Sequence, residues 1–241
     1  MRWTHLLAVI AAASTPAVMI CAGAMPAGAT TVTTGIVTGT VVNAATNTAL
    51  SGICVNVVDA ANNQTVGTST PTPKTGIWRL KAIAPSTTYT AYAFGCKNSN
   101  FVGQWYSNQE FQSEATQFTV AAGKTTTQIN FSLTEGGSVA GKVTDSVTKD
   151  PVAGILVIAY WTTAPQASTF SECTTSTGSY KLKGVPTSGA KIEFVPNDCG
   201  VNSNYGEIWY HNQSSFDSAT IVPVTTGATT TGISQRVTEA G

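Results

Sequence analysis

The chain has 241 residues, only 10% of them charged, with twelve basic side chains balancing twelve acidic ones. An ordinary soluble domain carries about 25% charged residues. Zero net charge removes the electrostatic case for nucleic acid or an anionic membrane surface as partner, and leaves solubility to Thr, Ser, Asn and Gln.

Residues 1–29 differ from the rest. Arg2 and His5 precede an Ala-rich apolar run over residues 6–22, and the segment closes on Ala27-Gly28-Ala29. This is the three-part pattern of a cleaved secretory signal, and Pro16 together with the A-x-A ending speaks against an uncleaved anchor. Ile20 before Cys21 lacks the small residue of a lipidation site. A secreted, extracellular product with no later membrane span is expected, acting in solution or at the cell surface.

From residue 35 short strands alternate with turn residues. Val37, Gly39 and Val41 alternate with Ile36, Thr38 and Thr40, and Asn43 to Asn47 then turn the chain. Ile53, Val55 and Val57 define one face of a second strand over residues 53–59, with Cys54, Asn56 and Val58 on the other. That period of two marks a half-buried antiparallel strand. Further strands are expected over residues 64–69, 77–81, 89–94, 116–120 and 127–133. Residues between the fifth and sixth have room for one helical turn.

The same text is then written again. A shift of 102 residues places Gly39 on Gly141, Val41 on Val143, Gly52 on Gly154 and Thr75-Gly76 on Thr177-Gly178. After an apparent two-residue insertion, Trp105-Tyr106-Ser107-Asn108-Gln109 falls on Trp209-Tyr210-His211-Asn212-Gln213. A repeat of about 100 residues is too long for a solenoid and right for a domain. The expected organisation is a signal peptide at 1–29 and β-sandwich repeats at 35–136 and 137–241. In the second repeat the strand over residues 155–161 is apolar on both faces. It must be covered on both sides or take part in a contact between repeats. Seven short strands per repeat, rich in Val, Thr and Ile, predict an all-β protein of two tandem sandwiches. Five residues, 134–138, join them, so an elongated head-to-tail pair with limited bending is expected.

Four cysteines follow the signal, two per repeat: Cys54 and Cys96, then Cys173 and Cys199. An even division in an exported protein predicts one disulfide in each repeat, four unpaired thiols being the alternative. The first cysteine moves from the second strand in copy one to the third in copy two.

The patterns V-x-G-x-V-T-D…P-V-x-G-I at 139–155, T-x-T-G-x-Y-x-L-x-G-V-P at 175–186 and W-Y-x-N-Q…A-T at 209–220 resemble the carboxypeptidase regulatory-like domain family. The resemblance covers residues 35–241 as two copies. It implies a transthyretin-like Greek-key sandwich, similar to adhesin B-repeats and starch-binding-like folds, and a non-catalytic role as stalk or carbohydrate binder. Some B-repeats join their first and last strands by a Lys–Asn isopeptide bond. Copy one has Asn130 but Thr40, and copy two has Lys142 but Ser234, so neither holds both partners. The disulfides are expected to serve as the cross-links.

Catalysis finds little support. His211 is the one histidine after the signal, and Ser107 replaces it in copy one. No Ser-His-Asp set can therefore recur, and no zinc or calcium spacing is present. Acidic residues are scattered, with Glu110 or Glu114 beside Asp59 the one pairing worth locating. A hydrolase barrel has no room. Neither enzyme activity, cofactor nor metal is expected, and the chain reads as a monomer.

The Trp-Tyr-x-Asn-Gln motif remains the functional candidate. Neighbouring aromatics on a strand face opposite ways, so one ring can enter the core while the other meets solvent. Trp105, Tyr106 and Asn108, with Trp209, Tyr210 and Asn212, could plug the core. Alternatively they could form a platform for polysaccharide or another cell-envelope component. Buried tryptophans would favour a structural module, and exposed coplanar pairs a carbohydrate-binding one.

Overall fold

A computed structural model describes residues 33–96, 99–161, 168–200 and 204–239. The expected signal at 1–29 lies outside them. No helix among the described residues is long and apolar enough to cross a membrane.

The described chain is all-β. Its first half forms β1 (Gly35–Asn43), β2 (Ile53–Asp59), β3 (Thr65–Thr68), β4 (Ile77–Ile83), β5 (Ser86–Gly95), β6 (Gln104–Trp105), β7 (Phe118–Val120), β8 (Thr125–Thr126) and β9 (Phe131–Leu133). One sheet runs β4-β1-β8 with β9 also on β1. The other runs β3-β2-β5-β6 with β7 on β5. The second half repeats this with β10 (Gly137–Asp145), β11 (Leu156–Trp161), β12 (Ser168–Cys173), β13 (Ser179–Val185), β14 (Ala190–Val195), β15 (Ile208–Trp209), β16 (Ile221–Val222), β17 (Thr229–Thr230) and β18 (Gln235–Val237). Its sheets are β13-β10-β17, with β18 on β10, and β12-β11-β14-β15, with β16 on β14.

The inward face of β2 is as expected, with Ile53, Val55 and Val57 in the first core beside Val37 and Val41 of β1 and Ala91 and Ala93 of β5. The strand is not half-buried, because Cys54 and Val58 on its other face are covered as well. The second core gathers Ile155, Val157 and Ala159 against Val139, Val143, Ile192 and Phe194. Sandwich packing of this kind uses the inward residues of both sheets.

Each copy differs from expectation at its end. In place of one strand over 127–133 there are two short pieces, β8 just before those residues and β9 at their end. Both pair with β1 in parallel: Ile36 opposite Thr125, then Val41 opposite Phe131. In copy two β17 and β18 pair in parallel with β10. Between the halves the chain presses on a glycine. A Cβ on Gly39 would lie 1.9 Å from the Ile129 carbonyl oxygen, and one on Gly141 1.8 Å from that of Ile233. Each carbonyl is held from beneath, by the Trp78 indole N–H at 2.9 Å and by the Tyr180 hydroxyl. Gly39, Trp78 and Ile129 and their counterparts therefore form one device.

Strand register also corrects the alignment of the copies. Tyr92 stands between Asn56 and Trp105, as Glu193 stands between Ile158 and Trp209. The shift is 101 residues on this strand and 104 at the next (Trp105 to Trp209). Copy two therefore loses one residue before β14 and gains three after it.

The joint is tied on both sides. Asn100, in the first repeat, donates from its side chain to Gly136 O (3.2 Å) and accepts from the Ser138 hydroxyl (2.9 Å) and Gly184 N (3.3 Å). Gly136 N donates to Asn100 O, and Gly227 N to Gly136 O, each at 2.8 Å. One asparagine side chain thus reaches the linker, β10 and β13.

Candidate functional site

The Trp-Tyr-x-Asn-Gln motif closes a three-residue hairpin in both copies. Trp105 and Gln109 exchange both backbone hydrogen bonds (2.9 and 3.1 Å), as do Trp209 and Gln213. Turning within three residues puts two successive residues in the left-handed region: Ser107 and Asn108 at φ 67° and 61°, His211 and Asn212 at 62° and 57°. Asparagine tolerates that conformation better than most side chains. The glutamine amide donates back to the carbonyl of the first left-handed residue, Gln109 to Ser107 O at 2.9 Å and Gln213 to His211 O at 3.0 Å. The tyrosine N–H anchors the turn to the fifth strand, at Ala91 O or Ile192 O.

The two rings face opposite ways, as alternation requires. Tyr106 turns inward, edge-on to Phe118 and Phe131 with centroids at 6.0 Å, and its hydroxyl donates to Gln128 O at 3.3 Å. Tyr210 packs on the second core and stacks on His211 at 4.1 Å. The tryptophans turn to the outer face, yet neither is free there. Trp105 is half-buried, its ring centre 5.0 Å from that of Tyr92. Trp209 is 7% exposed, enclosed by Tyr160 and Phe216 at 5.2 and 5.7 Å. This small outer cluster covers the second face of β11 and explains why that strand is apolar on both sides. Asn108 and Asn212 are exposed at the turn tips, and Asn212 Oδ1 accepts from Gln235 at 2.6 Å.

Both disulfides form within their own repeats, Cys54–Cys96 and Cys173–Cys199. Cys54 lies on β2 and Cys173 on β12, the third strand of its copy. The two sites compared with an isopeptide bond do face each other. Asn130 Oδ1 accepts from Thr40 N and its hydroxyl (2.9 and 3.0 Å), and Lys142 N donates to the Ser234 hydroxyl (3.1 Å). In copy two it is the Lys142 backbone N–H and not its side chain that makes the contact.

The chemically unusual group was not singled out in the sequence. Glu193 is 4% exposed, under Trp209 and against Tyr160. Burial first, then a hydrogen bond to Glu207 and the charges of Glu207 and Asp198, push its carboxyl up from 4.5 to about 8. Tyr160 is pushed up as well, by burial and by Glu193. A lysine–isoleucine–glutamate alternation reads as a solvated face, and only the lid supplied by the distant Trp209 buries it. Asp145 is opposite in sense: N–H donors from Thr148 and Val147 hold its carboxyl below the usual range. Among the described residues, no three His, Cys, Asp or Glu side chains gather to hold a metal ion.

Glu193 gives a pH prediction. Its folded value lies above its unfolded one, so its stabilising contribution is complete below about pH 4.5. That contribution is lost as pH rises through about 8. With partial solvent screening, the loss should be about 2 kcal/mol. Glu193→Gln should raise the melting temperature at pH 8.5 and change it little at pH 4. A parallel fall in both proteins would place the titration elsewhere.

No protein-family model and no curated protein matches the chain. Among solved structures it is similar to the Bacillus anthracis TIE protein, with 13% identity and a TM-score of 0.33, over 86% of this chain and 34% of that one. It is similar to a streptococcal ancillary pilin with 11% identity and a TM-score of 0.34, over 88% of this chain and 64% of that one. GBS52, the minor pilin of Streptococcus agalactiae, shares 14% identity with a TM-score of 0.30, over 86% and 96%. The chain thus spans about a third of the first protein and just under two thirds of the second.

Proposed function

We propose that this protein is an exported, non-catalytic pair of β-sandwich domains, at 35–136 and 137–241, that transmits tension at the cell surface as a stiff spacer. The parallel pairing of first and last strands carries this reading. A pulling force enters β1 at residue 35 and leaves β9 at residue 133, the opposite ends of a parallel pair. Every hydrogen bond between them is then sheared together, whereas a pair loaded at one end opens bond by bond. β10 and β18 repeat the arrangement. The Thr40–Asn130 and Lys142–Ser234 contacts add to the same seam, and Asn100 passes load from one sandwich to the next. The disulfides suit an oxidising, extracellular setting. The ordered motifs at 139–155, 175–186 and 209–220 support kinship with carboxypeptidase regulatory-like domains.

A polysaccharide platform at the two Trp-Tyr turns is the other reading. Its argument was the recurrence of four residues, and the hairpin gives each of them a structural task. Stretching the whole chain from its ends tests the spacer. Two abrupt ruptures, one per sandwich, are expected; smooth yielding at low force would refute it.

A further inference from the structure

The two repeats enclose a cleft of about 320 Å³. Its first wall is the start of β6 and the Asn108-Gln109 turn, its floor the linker at Thr134 and Glu135. Its second wall is Trp161 at the end of β11 with residues 186–188. Among the described residues, two buried side-chain polar atoms lack a hydrogen-bond partner: Gln104 Oε1 and Trp161 Nε1. Both belong to residues lining this one cleft, one from each repeat. Native proteins rarely leave such atoms unpaired. Their residues stand on opposite walls of a single cleft, which singles it out for a ligand that could supply the missing bonds.

We propose that this inter-repeat cleft binds the end of a neutral glycan. The two orphan atoms define the chemistry. Trp161 Nε1 requires an acceptor and Gln104 Oε1 a donor; a hydroxyl supplies both from one oxygen, whereas an amide needs two separate atoms to do so. The lining contains the carboxylates of Glu110 and Glu135 and no cationic side chain, which disfavours an anionic ligand. An amine would satisfy the glutamine but not the indole. The Trp161 ring offers an apolar wall for the C–H face of a sugar, and Thr134, Thr187 and Ser188 add hydroxyl partners. The volume lies at the lower end of the ~300–1,000 Å³ usual for ligand pockets, which suits a chain end. Because the two orphan atoms are closed off from water, the ligand must part the walls slightly to reach them. This site differs from the two turn platforms: it exists once, and it needs both repeats.

Titration of the full chain with maltohexaose, cellohexaose and chitohexaose, followed by the indole N–H resonances in NMR, tests the proposal. One of them should shift the Trp161 signal saturably, on the order of a millimolar Kd. Trp161→Phe, whose binding is read by calorimetry because the reporter N–H is gone, and Gln104→Leu should each weaken that binding about tenfold while leaving the fold and the other indole signals in place. Asn62→Ala, at an exposed turn of the first repeat outside the cleft lining, should leave it unchanged. If no oligosaccharide moves Trp161, or if Trp161→Phe binds as well as the parent, the cleft holds water only and the proposal falls. Stronger binding of an acidic oligosaccharide such as hexagalacturonate would also overturn it. Neither result bears on the rupture behaviour.

Discussion

Replacing Gly141 by alanine is expected to cost about 4 kcal/mol, enough to unfold the second sandwich under mild conditions. The added methyl would lie 1.8 Å from the Ile233 carbonyl oxygen, which is backbone and cannot step aside as a side chain would. That carbonyl is also held by the buried Tyr180 hydroxyl, so moving it breaks a second bond. Withdrawal of the 232–234 segment would separate β17 and β18 from β10, the seam that resists force. Gly39→Ala should do the same to the first sandwich, where Trp78 holds Ile129. Gly206→Ala, with nothing within 4 Å of the new carbon, should stay within about 0.5 kcal/mol of the parent. Denaturant melts of the three variants decide this. A Gly141→Ala protein as stable as Gly206→Ala would mean that the last segment does not lie against β10.

The second large effect concerns the cross-links. Replacing Cys54 and Cys96 together by alanine should destabilise the first sandwich by about 4 kcal/mol. Replacing Cys173 and Cys199 should destabilise the second by about 3.5 kcal/mol. The bridges close 42 and 26 residues, and the entropy withheld from the unfolded chain grows with loop length. Each loss should be confined to its own repeat, seen as one displaced transition by calorimetry. Displacement of both by one pair of substitutions would show that the sandwiches fold as a single unit.

How far these features could be read from sequence depends on whether they are local. The limits of β2 are legible because Ile53, Val55 and Val57 recur at every second residue between turn-forming segments, and such a period is a property of adjacent residues. Cysteine pairing followed from counting two per copy. The hairpin at Trp105–Gln109 was located as a motif but not understood, since two left-handed residues in succession leave no compositional trace beyond Asn. The outward ring of Trp209 was expected to meet solvent or enter the core. Its burial depends on Tyr160 and Phe216, which are distant in sequence. Glu193 was missed for the same reason. Buried hydroxyl stitches repeated in both copies, Thr72 to Leu50 O and Thr174 to Val152 O, went unseen because threonine is common throughout this chain. The parallel seam was also hidden: β9 and β18 are three residues long, and strand direction is set by topology, not by side-chain pattern.

The most direct test of the spacer is the length released when the chain is pulled from its ends, before and after reduction. With the disulfides intact, the parallel seam must break first, and each sandwich then extends by all but its bridged loop. Reduction should leave the rupture forces nearly unchanged, because neither bridge joins the seam strands. It should add about 150 Å to one extension and about 90 Å to the other, at roughly 3.5 Å per residue for 42 and 26 residues. Rupture forces that collapse on reduction would place the resistance in the disulfides and contradict the seam.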